Sequence, residues 1–304
     1  MLRISTYYGI PDPVPFLDVD VTGDNLLFLD PHAIRISGGP EPYAQMAATD
    51  MDTFFSEVTR CILDGGEDTH RHGLDLLQHF HEPSETCLGM TRTGTHGHGG
   101  ADQVGTLIWD TLLGNVEALV RIGVLRHLEE LPMFVEGIDR DITSDITTRI
   151  VFDPLMQFTA AMLDIYPQFT AGSHHTESVE RPVWDRHAMR WTTARGRLPV
   201  ANDRPLLLVP KGWARRNLLM SARRYYETTV LSYVQFTQAV LTSDGKWLKT
   251  PKDVLQRRAE LKPVRQANVA KTLHAFDDEQ DLIAAFERFV DERVDDTTED
   301  GTAA

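Results

Sequence analysis

The sequence predicts a helix-rich α+β protein, an α/β chain in which helices dominate around a small mixed sheet. Three observations predict it. Apolar residues recur at three- and four-residue spacing over several long stretches, the pattern of a helix with one buried face. Two runs, MFVEGI (133–138) and RPLLLVP (204–210), carry the aliphatic continuity of buried strands. FLDVDV (16–21) and LLFLD (26–30) flank the turn Thr22-Gly23-Asp24-Asn25, an N-terminal hairpin signal.

The elements follow in order. Pro31 stands where a short helix starts, and SGGPEP (37–42) reads as a loop. Asp50 or Asp52 caps a helix through Leu63, with Phe54, Phe55, Val58, Cys61 and Ile62 at helical spacing and Gly65-Gly66 as its stop. A second helix covers about 68–80, before Pro83. The glycine-rich stretch CLGMTRTGTHGHGGAD (87–102) leads into a long helix of about 101–130, striped by Leu107, Ile108, Leu112, Leu119, Ile122 and Leu125. After MFVEGI comes the acidic loop DRDITSD, then helices broken near Pro154. Residues 170–200 read as irregular. RPLLLVP suits a central strand, and a helix of about 212–241, a turn at Ser243-Asp244-Gly245 and helices after Pro251 follow. Residues 1–290 read as one large domain, with subdivision points near 130 or within 170–200, and 291–304 as an acidic disordered tail.

Composition narrows the class. With 41% hydrophobic and 25% charged residues the chain has ordinary globular proportions. Two cysteines, Cys61 and Cys87, imply no disulfide framework and make a reducing cytoplasm the expectation. The opening MLRISTYYGI lacks the apolar core of a secretory signal, and no run approaches the roughly 18 apolar residues of a membrane span. A net charge of −15 argues against indiscriminate nucleic-acid binding. The charge is polarised, however. Residues 181–224 hold eleven Lys or Arg against Asp185 and Asp203, and 277–300 hold eleven Asp or Glu against Arg288 and Arg293. The acidic end either competes with a polyanion for the basic stretch or simply keeps the chain soluble.

Two groups carry chemistry. Glu136, Asp139, Asp141 and Asp145 leave MFVEGI within ten residues and form a candidate ligand set for Mg²⁺ or Mn²⁺, with zinc less favoured. A catalytic set of Asp139, Asp141, Asp145 and Lys211 would use that metal on a phosphodiester, Lys211 neutralising the pentavalent phosphate. The plainer reading makes Asp145 a helix N-cap and Lys211 a solvated strand end. The second group is phosphate-binding: Arg215, Arg216, Arg223 and Arg224, interleaved with Trp184, Trp191, Trp213, Tyr225 and Tyr226, as arginines grip phosphates and aromatics stack on bases. An arginine-rich surface paired with the protein's own acids is the alternative. Ahead of the long helix, Gly97, Gly99 and Gly100 with Arg92 offer unpaired N–H groups to an anion. No lysine completes a P-loop there. His70, His72, His79, His81, His96 and His98 cluster with Cys87, Glu82 and Glu85, but no zinc spacing appears.

Acids at one strand and a lysine closing another resemble restriction-type nucleases with the PD-(D/E)xK motif. The departure is Val209, which stands where those enzymes carry an acid two residues before the lysine. The segments FLDVDVTGDNLLFLDPHAIR, HEPSETCLGMTRTGTHGHGG, MFVEGIDRDITSDITTRI and RPLLLVPKGWAR, spanning residues 16 to about 240, resemble a group of uncharacterised bacterial proteins associated with mobile-element or phage-defence neighbourhoods. That resemblance brings no activity; it implies a nucleic-acid-directed role. The expected function is a cytoplasmic protein whose partner is nucleic acid or nucleotide phosphate, with divalent-metal-dependent nuclease action as the leading reading. A non-catalytic binding, assembly or sensor subunit, pairing with itself or a partner protein, is the second. A nucleotide-binding enzyme using the 94–100 loop is the third. No membrane role is expected.

Overall fold

A computed structural model describes residues 2–80, 83–89, 100–114 and 117–294, without the side chains of 100 and 101. Its elements in chain order begin with α1 (Ile4–Tyr8), β1 (Phe28–Leu29), α2 (Pro31–Ile36), α3 (Tyr43–Asp64), α4 (Glu67–Leu77) and α5 (Gly100–Leu113). Next come α6 (Glu117–Arg121), α7 (Leu131–Phe134), α8 (Arg140–Ile150), α9 (Phe152–Ile165), β2 (Thr176–Asp185), β3 (Arg190–Ala201), β4 (Arg204–Pro205) and β5 (Ala214–Arg215). The last are α10 (Ala222–Tyr225), a π-helical turn Tyr226–Val230, α11 (Leu231–Thr237), β6 (Val240–Leu241), β7 (Trp247–Leu248), α12 (Lys252–Leu255), α13 (Val264–Asp277) and α14 (Leu282–Val294). The class is the expected helix-rich α+β, with small antiparallel sheets. The chain divides into two compact units, residues 1–109 with 139–218 and residues 110–138 with 219–304.

The first unit is organised by α3, whose Ala44, Ala47, Met51, Phe54, Phe55, Val58, Cys61 and Ile62 are all buried. Spacing of three and four places them on one face. Gly65, at φ +69°, ends the helix in the left-handed region, and α4 packs back on α3. Helix α5 approaches so closely that a Cβ at Gly105 would lie 2.2 Å from the Leu77 carbonyl oxygen. Asp30 caps α2, accepting from the N–H of His32 and Ala33, with Pro31 at the first helical position. A long hairpin of β2 and β3 lies on α9, where a Cβ at Gly196 would lie 2.3 Å from Met156 Sδ. Strand order is β2-β3-β4, so β2 has one strand neighbour, which makes Pro182 tolerable in it.

The second unit is helical apart from the β6–β7 hairpin. Tyr225 and Phe286 are fully buried with ring centroids 5.2 Å apart, and Phe134 lies 5.8 Å from Tyr225. The Tyr225 hydroxyl meets Thr272 Oγ1 at 2.7 Å. Asn268 donates to the carbonyls of Met133 and Ala222, joining α13 to α7 and α10. These side-chain hydrogen bonds fix one packing of the helices.

Several expected elements are corrected. MFVEGI is not a strand: Pro132 fits the start of α7, which runs to Phe134, and Gly137 turns the chain at φ +82°. Of RPLLLVP, residues 206–210 are extended and buried, yet only the exposed Arg204 and half-buried Pro205 belong to a sheet. Leu206, Leu207 and Leu208 donate to Pro199, Glu85 and Thr159 Oγ1, three separate segments, so no regular ladder forms. The N-terminal hairpin is absent because its two arms pair elsewhere, Phe16 with Pro210 and Phe28–Leu29 with β5. Its turn is real, with Asp20 accepting from the Thr22 N–H and hydroxyl. The long 101–130 helix breaks, α5 ending at Leu113 before Gly114 and α6 ending before Gly123 at φ +69°. The helix expected over 212–241 is β5, α10, the π turn and α11. Residues 170–200, read as irregular, hold the longest strands. Of the expected acidic tail, 291–294 complete α14 and 295–304 lie outside the described residues.

Candidate functional site

The acids singled out from the sequence serve several purposes. Asp139 is the N-cap of α8, its Oδ1 accepting from the N–H of Asp141 at 3.1 Å and Ile142 at 3.2 Å. It has the capping role expected of Asp145, because the chain turns helical at Arg140 and leaves Asp145 half-buried within α8. Asp141 is buried. Glu136 belongs to the second unit, where its exposed carboxylate pairs with Arg265 at 3.2 Å. Lys211 lies exposed in a turn, its N–H donated to Pro15, and is not a strand end. Among the described residues two groups bring three ligand atoms within 4.8 Å of one another, and neither contains Glu136, Asp139, Asp141 or Asp145.

The basic stretch divides between structural and solvent-facing cations. Arg181 Nε donates to buried Glu85 at 2.6 Å. Arg186 Nε lies 2.8 Å from Oδ1 of Asp50, which is 1% exposed, a contact without hydrogen-bond alignment at that oxygen. Burial pushes the Asp50 carboxyl up to about 7, Arg186 opposing and Asp153 and Asp185 adding to the rise. Arg140 donates to the Arg216 carbonyl and Asn217 Oδ1, both at 2.9 Å, which ties the start of α8 to the segment after β5. Arg215 is half-buried in β5. In the second unit Arg223 pairs with Glu227 one turn on, and Arg224 lies over Phe289 and donates to the Leu219 carbonyl. The four arginines expected as one clamp are therefore divided between the units.

What remains exposed from this stretch in the first unit, in no ion pair among the described residues, is Arg190, which lies opposite Asp185 in the hairpin, and Arg197, Arg204, Lys211 and Arg216. Arg197 directs Nε and Nη2 to Thr176 Oγ1, a neutral partner. The expected stacking aromatics are not surface platforms. Trp184, Trp213, Tyr225 and Tyr226 are buried, and half-buried Trp191 donates its indole N–H to the Leu76 carbonyl. Arg92, Gly97 and Gly99 lie outside the described residues; Gly100 opens α5.

Two groups have the donor types of a metal site, and the sequence reading found neither as a set. On α3 and α4, Glu57, Cys61 and His72 converge, His72 Nε2 lying 3.3 Å from Glu57 Oε1. Arg60 already occupies both Glu57 oxygens, at 2.8 and 2.6 Å, and holds that carboxyl below its usual range. Burial pushes the Cys61 thiol up to about 11. In the second unit His127, Glu130 and Glu287 converge. Glu130 is fully buried; burial first, then Glu129 and Glu287, push its carboxyl well above the ordinary range. His127 and Glu130 show only as a His-x-x-Glu pair, and Glu287 is too distant in sequence for spacing to signal it.

A family described as a domain of unknown function, DUF8370, matches residues 11–221, more than half of the chain, and the chain belongs to that family. No curated protein and no solved structure matches it. No helix among the described residues is long and apolar enough to cross a membrane.

Proposed function

We propose that this member of the DUF8370 family binds nucleic acid through its first unit, gripping the phosphodiester backbone and not the bases. The observation that carries this is the division of the basic stretch. Arg181 and Arg186 turn inward to buried carboxylates, whereas Arg197, Arg204, Lys211 and Arg216 stay exposed without an ion pair among the described residues. Exposed cations not engaged in ion pairs attract a polyanion, and the protein's net charge of −15 keeps the attraction local. Burial of the aromatics removes the base-stacking contribution, so the proposed binding is indifferent to sequence and strongly dependent on salt. Cleavage is not part of the proposal, because Asp139 is engaged as a helix cap and the expected acids do not gather. A setting in phage defence or a mobile element rests on the sequence resemblance.

The test is fluorescence anisotropy with labelled single- and double-stranded 30-mers across a salt series. Four phosphate contacts give a log–log slope of about −3.6 on duplex and about −2.8 on single strands. Arg197→Glu with Arg204→Glu should flatten the slope by about 2. Salt-independent binding, or a slope untouched by the double reversal, would remove the proposal. Product formation with Mg²⁺ or Mn²⁺ that is lost in Asp145→Ala would restore the nuclease reading.

A further inference from the structure

We infer that His127, Glu130 and Glu287 form a divalent-metal site in the second unit, taking a transition ion of the Zn²⁺ or Mn²⁺ class through one imidazole nitrogen and two carboxylate oxygens. Nothing in the nucleic-acid proposal is needed for it. One ligand atom from each residue lies within 4.8 Å of the others. A tetrahedral ion with ligands about 2.1 Å away spaces them about 3.4 Å apart, so modest side-chain movement closes the set.

What separates this group from an ordinary acidic cluster is Glu130. It is 0% exposed; one carboxylate oxygen, Oε2, accepts the Arg126 N–H at 2.6 Å, and the other, Oε1, is buried with no hydrogen-bond partner. A buried carboxylate normally has a cation or a full set of donors. Here the Arg126 and His127 backbone N–H groups face the carboxyl, the charged neighbours Glu129 and Glu287 repeat its sign, and the Arg126 guanidinium is engaged by Asp281. A bound cation supplies the missing partner to Glu130 and relieves the repulsion from Glu287 in one step.

The ligands are also well held. Glu287 sits on α14 between Phe286 and Val290, both fully buried, and the 3₁₀ turn Leu128–Glu130 runs straight into α7. The mixed donor set argues for the ion class. Mg²⁺ and Ca²⁺ take oxygen ligands, whereas imidazole with carboxylates suits zinc, manganese or iron. Three protein ligands leave a coordination position for water, as in catalytic zinc centres. The rival group fails on the same criteria, since Arg60 covers both oxygens of Glu57.

The test uses the full chain, stripped with a chelator and dialysed, then titrated with Zn²⁺ alone by calorimetry and with Mn²⁺ alone by loss of the free-ion EPR signal. One equivalent should bind. Outer-shell changes in metal sites commonly cost 10–100-fold, so the ligand changes Glu130→Gln and Glu287→Gln should each weaken binding by at least about 100-fold. Glu57→Gln should leave it unchanged. Near-UV circular dichroism checks folding, and if Glu130→Gln does not fold, the half-exposed Glu287 variant decides alone. Absence of binding by the stripped wild type, retention in the Glu287 variant, or loss in the Glu57 variant would each overturn the assignment.

Discussion

Replacing Arg186 with methionine should destabilise the protein, and by an amount that grows with pH. Asp50 is fully buried and has its carboxyl pushed up to about 7, mainly by burial. Between about pH 4, where the unfolded carboxyl titrates, and pH 7, the native state holds a proton that the unfolded chain has released. Stability from this group is therefore complete in acid and falls as pH rises to about 7. In Arg186→Met, Asp50 keeps its burial and loses its cation. At pH 5 the carboxyl is neutral in both proteins, and the cost is the lost contact, about 1 kcal/mol. Above pH 7 the variant either buries an unpaired charge or holds a proton against the solvent. The second course limits the extra cost to about 1.4 kcal/mol per pH unit, roughly 2 kcal/mol by pH 8.5. The total of about 3 kcal/mol there lies at the lower edge of what breaking a buried pair costs. Urea unfolding followed by tryptophan fluorescence measures it; Trp184 donates to Thr53, one turn from Asp50, and reports locally. The pair Asp50→Asn with Arg186→Met should lose the pH dependence. A destabilisation equal at pH 5 and pH 8.5 would refute the reasoning.

Gly105→Ala should cost at least about 2 kcal/mol, since the new methyl meets backbone at Leu77 that cannot move aside; thermal unfolding reads it. Gly196→Ala should cost less, about 1 kcal/mol, because the clash is with the flexible Met156 side chain, and truncating Met156 in the same chain should remove the clash term. Asp139→Ala should lose about 1 kcal/mol through its cap and leave the salt dependence of nucleic-acid binding unchanged. Cys61 and Cys87 are buried with thiols pushed up to about 11, so a thiol-reactive dye should label neither rapidly until denaturant is added.

Periodicity was a good guide to the face α3 buries and to its stop at Gly65, and where a cap and a proline coincide, as at Asp30-Pro31; it missed the start of α3, which begins at Tyr43, so that Asp50 and Asp52 lie inside the helix and cap nothing. It misled where a buried apolar run has no single partner. Leu206–Leu208 looks like a central strand because all three side chains are buried, but burial does not choose a hydrogen-bond partner. The β2–β3 hairpin was hidden by Pro182, Pro199 and a high charge content, although Asp185 closes its turn by accepting from His187 and Ala188. The charge run at 181–224 was plain in sequence; which arginines turn inward was not, because Glu85 and Asp50 are supplied from far upstream. The metal group in the second unit joins residues 157 positions apart, Glu130 to Glu287, and only the packing of α14 brings them together.

The terminal position of β2 bears on how the protein survives at high concentration. A ten-residue strand with a single neighbour is an open template, onto which another chain can crystallise itself one rung at a time. Pro182 removes a rung from the middle of that template, and the exposed Glu177 and Glu180 make any incoming copy set like charges against like if it docks in register. The residues that disguise this strand in the sequence are thus the ones expected to discourage a second chain from pairing with it.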